Sequence, residues 1–295
     1  MDQAVPQLAS AERLLRYQQQ YREAHSRSRW QLGLGLLLVL GLALLASAVA
    51  EVAPAKWWAN LGNFTSYLQR ISLLDSGQSV LADPVEWFWG LKKWLLLMGE
   101  TLLMAYVGTL MGAVGALVLC FMASSNLTRS KSVVFATRRL LEFARTVPEI
   151  VFALIFVAAF SLGPMPGVLA LAIHTLGALG KLFAEAVENI DMKPVQGVVA
   201  SGANWVQKVR FAALPQVLPN LLSYTLLRFE INVRGASVLG FVGAGGIGET
   251  LITSIRKFYY SDVSALLVLI ILTVMIIDTL TERLRHHLLG KEARV

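Results

Sequence analysis

Several continuous apolar runs constrain the fold of this chain more than any other feature of its sequence. A helix needs about 20 largely apolar residues to cross the hydrocarbon core of a bilayer. Charged residues make up only 15% of the chain, whereas a soluble domain contains roughly a quarter. A transmembrane β-barrel would instead show short segments of alternating polarity. The sequence therefore predicts an all-α polytopic membrane protein and excludes a β-barrel and an ordinary soluble enzyme.

About six spans can be placed along the chain by the length and apolar character of the runs. They lie near residues 31–50, 94–121, 139–161, 168–186, 216–239 and 263–280. Residues 51–93 contain Trp57, Trp58 and a second tryptophan cluster, which favours the membrane interface, so we expect an extramembrane or interfacial excursion there. Residues 1–30 and 283–295 are predicted as polar ends outside the bilayer, and residues 94–282 as the core that contains the remaining spans.

Basic residues are distributed unevenly between the two ends of the spans. Six spans place both termini on one side, and most of the 26 Lys and Arg residues fall on that side. The opposite side contains only Lys56, Arg70, Lys92, Lys93, Arg256 and Lys257. Because loops rich in Lys and Arg stay in the cytoplasm, we expect both termini and the polar loop at residues 187–215 to be cytoplasmic.

No set of side chains suited to catalysis or to metal binding is assembled in the predicted spans. His174 is the histidine that lies inside a span, and we interpret it as a polar residue buried in the bundle. The run 177–181 faintly resembles a phosphate loop, but Leu182 replaces the Ser or Thr that such a loop requires. We therefore expect no metal, nucleotide, other cofactor or nucleic-acid partner, and any ATP hydrolysis belongs to another polypeptide.

Charged residues inside the fifth span need partners or water. Arg228, Glu230 and Arg234 lie there, and a charge within the membrane costs at least a few kcal/mol unless it is paired or hydrated. Glu230 and Arg234 are one helical turn apart and can pair. Either the pair braces the bundle, or it lines a pathway in which the arginine offers two parallel donors to an oxyanion. Asn232 adds a further polar group, and we favour the pathway for all four.

The third span contains its own charged residues beside a proline. Arg145 and Glu149 flank Pro148 at a spacing of one helical turn. On one continuous helix these two side chains would share a face and could pair. We interpret this pair as structural packing.

A glycine-rich run follows the fifth span, from Gly240 to Gly248. In one interpretation it is a flexible turn on the side opposite the termini. In the other, its glycines allow close backbone approach, and they line a constriction or present exposed N–H groups to another protein. The second interpretation assigns that role to Gly243, Gly245, Gly246 and Gly248.

The polar loop at residues 187–215 predicts two short helices hinged at a glycine. Pro194 suits the first turn of a helix that continues over residues 195–201. Gly202 permits a sharp turn before a second helix at residues 204–212. Pro215 and Pro219 restrict the re-entry of the chain into the fifth span.

The order and spacing of Gly202, Ala212, Leu214 and Pro215 resemble the EAA loop of ABC importer permeases. The Glu-Ala-Ala triplet of that loop is degenerate here, because Gln196, Gly197 and Val198 stand in its place. The runs at residues 145–150, 224–234 and 238–248 resemble the membrane component of phosphonate ABC importers. This resemblance covers roughly residues 95–285, and its glycine run is also similar to methionine permeases.

The resemblance implies a type I importer permease in the bacterial inner membrane. It implies a homodimer of this chain, two copies of a cytoplasmic ABC ATPase, and a periplasmic binding protein that delivers a phosphonate or a related phosphorus oxyanion. The chain itself would then be non-catalytic, with residues 51–93 on the periplasmic side. The residues that would contact the ATPase are Gln196, Gly197, Val198, Gly202, Ala203, Leu214 and Pro215.

Two alternatives remain open at this point. The chain could be an ABC permease for another small solute, such as methionine or a different oxyanion. It could also be an ion-coupled secondary transporter, although such proteins usually have repeated halves, and we see no internal repeat in the sequence.

Overall fold

The computed structural model describes residue 21, residues 29–50 and residues 54–289. Most of the expected N-terminal polar segment and the end of the predicted C-terminal tail lie outside these ranges. The chain divides into two units, Met1–Leu68 and Gln69–Val295. In the first unit, α1 (Arg29–Val49) is a candidate span, and α2 (Pro54–Ile71) begins there and ends just inside the second unit.

The second unit contains the remaining helices and all of the predicted site residues. A short helix, α3 (Pro84–Trp87), precedes the long helix α4 (Leu91–Ala123). The helices that follow are α5 (Lys131–Thr146), α6 (Glu149–Phe160), α7 (Pro164–Glu188), α8 (Met192–Ala200), α9 (Trp205–Lys208), α10 (Leu214–Leu239), α11 (Ile247–Arg256) and α12 (Tyr260–Leu289).

The predicted number of spans agrees with the helices of the described residues. Four helices are long and apolar enough to cross a membrane alone, namely α1, α4, α7 and α12. Two bent pairs also qualify: α5 with α6, and the helical run Trp205–Val242 with α11. Counting each pair as one span gives 6, and the all-α polytopic class is confirmed.

The third span is not the straight helix that the sequence predicts. Pro148 disfavours a helical conformation at the residue before it, and Val147 is extended, with φ −74° and ψ 122°. Helix α5 therefore ends at Thr146, and α6 leaves the break at an angle of 84°. Arg145 and Glu149 lie on different helices as a result, so the predicted pairing of these two residues along one helix is wrong.

The entry into the fifth span is more continuous than the sequence predicts. Gly202 has φ +85° after the end of α8, so the predicted hinge is confirmed. After α9, a π-helical turn at Val209–Ala213 runs directly into α10. Pro215 lies in the first turn of α10, a position that proline commonly occupies. Leu214 and Pro215 therefore begin the helix and do not form a separate link.

The helices α4, α7 and α10 form the centre of the second unit. A side-chain carbon on Gly112 of α4 would lie 2.8 Å from the backbone oxygen of Ala172 in α7, so these two helices approach each other closely. The core between the three helices contains Ala105, Ala170, Leu171, Val233 and Ala236. This packing fixes the positions from which the polar side chains of α10 extend.

Candidate translocation and coupling sites

Arg234 contacts two carboxylates on the exposed face that α10 and α12 share. Its guanidinium donates a hydrogen bond to Glu230 one turn earlier in α10, and it lies 3.2 Å from both carboxylate oxygens of Asp278 in α12. Thr281 lies 3.5 Å from the second oxygen of Glu230. The predicted contact between Glu230 and Arg234 is confirmed. Asp278 was not predicted, and the signal that could have found it is an isolated Asp within an apolar run.

The cluster of Glu230, Arg234 and Asp278 has one positive and two negative groups. The side chains of Arg234 and Asp278 are 48% and 39% exposed, whereas that of Glu230 is 16% exposed. Charged groups are too costly to place against lipid tails. This face of the chain therefore requires water or another protein surface beside it.

Arg228 extends from α10 into the bundle and not onto the exposed face. Its side chain is 13% exposed, and it lies 3.9 Å from Glu149 of α6 and 3.5 Å from the hydroxyl of Thr175 in α7. Gly235 leaves room for this carboxylate, because a Cβ at that position would lie 2.5 Å from Oε1 of Glu149. Glu149 is also in the first turn of α6, where the helix dipole favours a negative charge. The partner of Glu149 is thus Arg228, and it is not Arg145.

Asn232 lies fully buried among α4, α7 and α10. Its amide donates hydrogen bonds of 2.8 Å to Thr109 and to Thr175, which ties the three helices together. Its Oδ1 has no hydrogen-bond partner among the described residues. Because the side chain does not reach the surface, the prediction that Asn232 lines a pathway is wrong, and this residue holds the helices in place.

His174 contacts the backbone at the break between α5 and α6, but it is less buried than the sequence predicts. Its ring nitrogen Nδ1 lies 3.2 Å from the carbonyl oxygen of Val147, at the break between α5 and α6. The residue is only partly buried. The contact joins α7 to the break at which Glu149 begins α6.

The glycine run after α10 is a close crossing of two chain segments and not a flexible turn. A Cβ on Gly240 would lie 2.7 Å from the backbone of Gly248, so side chains are excluded from this crossing. The N–H of Gly163 donates a 2.9 Å hydrogen bond to the carbonyl of Gly243, which connects the run to the start of α7. Positive φ angles occur at Gly243, Gly245 and Gly246.

Burial of the glycine run corrects part of its predicted role. Gly245, Gly246 and Gly248 are buried, so they cannot present exposed N–H groups to another protein. Gly243 is partly exposed and is the one predicted contact residue of this run that reaches the surface. The interpretation of close backbone approach is confirmed.

The loop between α7 and α10 is compact and locally hydrogen-bonded. Asn204 and Gln207 cap α9 reciprocally, with both hydrogen bonds 2.9 Å long. Val195 is buried in the core and anchors α8. Of the residues predicted to contact an ATPase, Gln196, Gly197, Gly202 and Pro215 are exposed, whereas Val198, Ala203 and Leu214 are half-buried.

Comparison with known families gives a match over most of the second unit. Residues 115–291 match the family described as binding-protein-dependent transport system inner membrane component. The chain is 36% identical to the phosphite transport system permease protein PtxC of Stutzerimonas stutzeri, over 92% of this chain and 98% of that protein.

Two further relatives carry related descriptions. The chain is 56% identical to the putative cryptic phosphonate transport system permease protein PhnE2 of Escherichia coli, over 40% of this chain and 98% of that protein. It is 38% identical to the phosphate-import permease protein PhnE of Mycolicibacterium smegmatis, over 64% of this chain and 36% of that protein.

The fold is similar to that of solved transporters. A chain of the inward-facing MetNI methionine ABC transporter aligns with a TM-score of 0.58 and 20% identity, over 70% of this chain and 98% of that chain. A chain of a bacterial ABC transporter involved in alginate import aligns with a TM-score of 0.58 and 13% identity, over 84% of this chain and 98% of that chain. At these identities the likeness concerns the fold alone.

Proposed function

Because the chain belongs to the family of binding-protein-dependent transport system inner membrane components, it is the multi-pass permease subunit of an importer, and we propose that its cargo is a small phosphorus oxyanion. The observation that carries this proposal is the 36% identity to a phosphite permease over 92% of the chain. A probable D-methionine permease from Vibrio cholerae is only 25% identical, which favours the oxyanion over the methionine-like alternative.

We infer that two copies of this chain form the translocation pathway. The support is the charged face of α10 and α12, which cannot lie against lipid and is uncovered in a single chain. A second copy placed against this face would cover it and would enclose water beside Arg234. Homodimerisation is thus the simplest arrangement that removes these charges from the lipid.

Arg234 is the cation that a passing oxyanion would meet in this arrangement. It is held by the carboxylates of Glu230 and Asp278, whereas Arg228, which the sequence also predicts in the pathway, is paired with Glu149 inside the bundle. An arginine that must exchange a carboxylate for the cargo binds that cargo weakly. Weak binding suits a pathway, because a transported ion must leave as readily as it enters.

The loop between α7 and α10 is the proposed contact with the separate ATPase, which would supply the hydrolysis. Gln196, Gly197 and Gly202 are exposed on it, and the reciprocal cap of α9 holds part of it in a defined conformation. The charge distribution supports a cytoplasmic position for this loop and for both termini. The partly exposed Gly243 would then lie at the opposite, periplasmic end, where the binding protein docks.

Substrate-stimulated ATP hydrolysis by the reconstituted complex tests the proposed cargo. The chain, its ATPase and its binding protein would be assembled in nanodiscs, and hydrolysis would be measured with phosphite, methylphosphonate, phosphate or D-methionine. We expect stimulation by at least one of the phosphorus oxyanions and none by D-methionine. Stimulation by D-methionine alone would contradict the proposal.

A further inference from the structure

A cavity of about 670 Å³ lies beside the loop that follows α7. Its walls come from the end of α4, the start of α5, the end of α8 and α9. One wall is apolar and includes Val118, Met122 and Val133. Arg129 and Lys208 also line it, together with Trp205. The cavity is thus amphipathic, and it adjoins the loop proposed to contact the ATPase, because Ala203 of that loop also lines it.

The charge of this cavity is positive and not neutralised by the residues that line it. Its lining contains Arg129 and Lys208 and no carboxylate. Lys208 donates a 2.8 Å hydrogen bond to the backbone carbonyl of Leu127, and this bond leaves its charge unpaired. Arg129 forms no ion pair within the described ranges. An anionic ligand would therefore complement both cations.

The position of the cavity along the spans matches the headgroup region of a bilayer. Helix α4 ends at Ala123, and the apolar wall of the cavity extends back along α4 to Val118. Trp205 is 41% exposed at the cavity, and tryptophan favours the membrane–water interface. In the proposed topology this end of α4 is cytoplasmic, and basic pockets at the cytoplasmic ends of transmembrane helices are suited to anionic lipid headgroups.

We propose that this cavity binds an anionic phospholipid. The headgroup phosphate lies between Arg129 and Lys208, and the upper part of an acyl chain lies along Val118, Met122 and Val133. A free phosphate ion would satisfy the two cations but would leave the apolar wall exposed to water. The lipid covers both surfaces, so it is the better complement.

Quenching of Trp205 by brominated lipids tests this site directly. The full chain would be placed in phosphatidylcholine nanodiscs that contain increasing fractions of acyl-brominated phosphatidylglycerol or acyl-brominated phosphatidylcholine. The difference between the native chain and Trp205→Phe isolates the signal of Trp205. We expect phosphatidylglycerol to quench this signal at a lower mole fraction, with a preference of about fivefold for each basic residue that contacts the headgroup.

Charge variants distinguish a specific site from a general attraction to anionic lipid. Arg129→Gln, which breaks no hydrogen bond or ion pair within the described chain, should lower the preference about fivefold, and the double variant Arg129→Gln, Lys208→Gln should abolish it. Lys208→Arg should retain it. The control is Lys193→Gln with Arg210→Gln, which removes two exposed cations of the same loop that do not line the cavity. This control should retain the full preference.

Four results would overturn the proposal. The first is equal quenching by the two lipids in the native chain, and the second is a preference that survives in the Arg129→Gln, Lys208→Gln chain. The third is a loss of the preference when excess inorganic phosphate is added, which would assign the cavity to a free anion. Displacement of the brominated lipid by the added ATPase would instead identify an ATPase-binding surface and would also overturn it.

Discussion

Arg234 of α10 and Asp278 of α12 lie 3.2 Å apart on an exposed face of the permease. This contact joins two spans that are far apart in sequence, and it makes Arg234 the centre of a cluster with two carboxylates. The cluster can therefore have two roles. It can stabilise the contact between α10 and α12, and it can affect the passage of an anion. Variants can separate them.

Neutralising Arg234 should destabilise the chain more than neutralising Asp278. In Arg234→Gln, Glu230 and Asp278 are left beside each other without a cation, at a cost of about 1–3 kcal/mol. In Asp278→Asn, Arg234 keeps Glu230, and the lost pair is partly exposed and contributes about 1 kcal/mol or less. Thermal unfolding of the purified chain in detergent measures both. An unfolding temperature that is lower for Asp278→Asn than for Arg234→Gln would contradict this predicted order of stability.

A variant without the three charges distinguishes a cluster that only holds the helices together from one that acts in the pathway. The triple variant Glu230→Gln, Arg234→Gln, Asp278→Asn removes all three charges and leaves no unpaired ion in the cluster. We expect it to assemble with its partners but to transport an oxyanion poorly, because the cation that attracts the cargo is lost. Uptake at the native rate by a well-assembled triple variant would show that the cluster only braces the helices.

Gly202 should be essential for the loop because of its backbone conformation. Its φ of +85° is incompatible with proline, and its N–H donates a 3.0 Å hydrogen bond to Val199 that proline cannot make. We expect Gly202→Pro to insert in the membrane but to lose co-purification of the ATPase. Gly202→Asn is the control, since asparagine tolerates the left-handed region and no atom lies within 4 Å of a Cβ there. Equal co-purification by both variants would refute this role.

Gly248 should not tolerate even alanine. A Cβ at this position would collide with the carbonyl oxygen of Ser237 in α10, and backbone on both sides leaves little freedom to move. We expect Gly248→Ala to lower the unfolding temperature, as overpacking typically costs about 1–3 kcal/mol. Gly99→Ala in α4 is the matched control, because no atom lies within 4 Å of its Cβ, and it should be neutral or mildly stabilising. Equal unfolding temperatures for the two variants would disprove the close crossing.

The orientation of the chain can be measured with single cysteines. Ser76 and Ser201 are exposed and are predicted to lie on opposite sides of the membrane, and the native Cys120 is fully buried. A membrane-impermeant maleimide should label Ser76→Cys in spheroplasts, and it should label Ser201→Cys only after permeabilisation. Labelling of both from the same side would reject the proposed topology.

The class of the protein and the number of its spans followed from the sequence because hydrophobicity along a bilayer-spanning helix is a local property. The contact between Glu230 and Arg234 was also predictable, since it depends on one turn of helix. Contacts between separate helices were not predictable in this way. Glu149 meets Arg228, and Arg234 meets Asp278, across separate elements whose packing local spacing does not encode.

Local backbone geometry explains the other differences between prediction and structure. Pro148 was recognised as part of a motif, but its effect on Val147 breaks the third span and removes the predicted pairing of Arg145 with Glu149. The polarity of Asn232 indicated a pathway, whereas the N–H groups of a buried amide can equally donate hydrogen bonds between helices. Burial distinguishes these two roles, and burial depends on the packed fold.

ATP-dependent uptake into proteoliposomes tests the central claim most directly. The chain, its ATPase and the loaded binding protein would be reconstituted, and accumulation of radiolabelled phosphite or methylphosphonate would be followed with ATP on the ATPase side. We predict accumulation that requires ATP, the binding protein and this chain together, and that stops in Gly202→Pro. Accumulation driven by an ion gradient without ATP, or independent of the binding protein, would contradict the assignment as a permease subunit for phosphorus oxyanions.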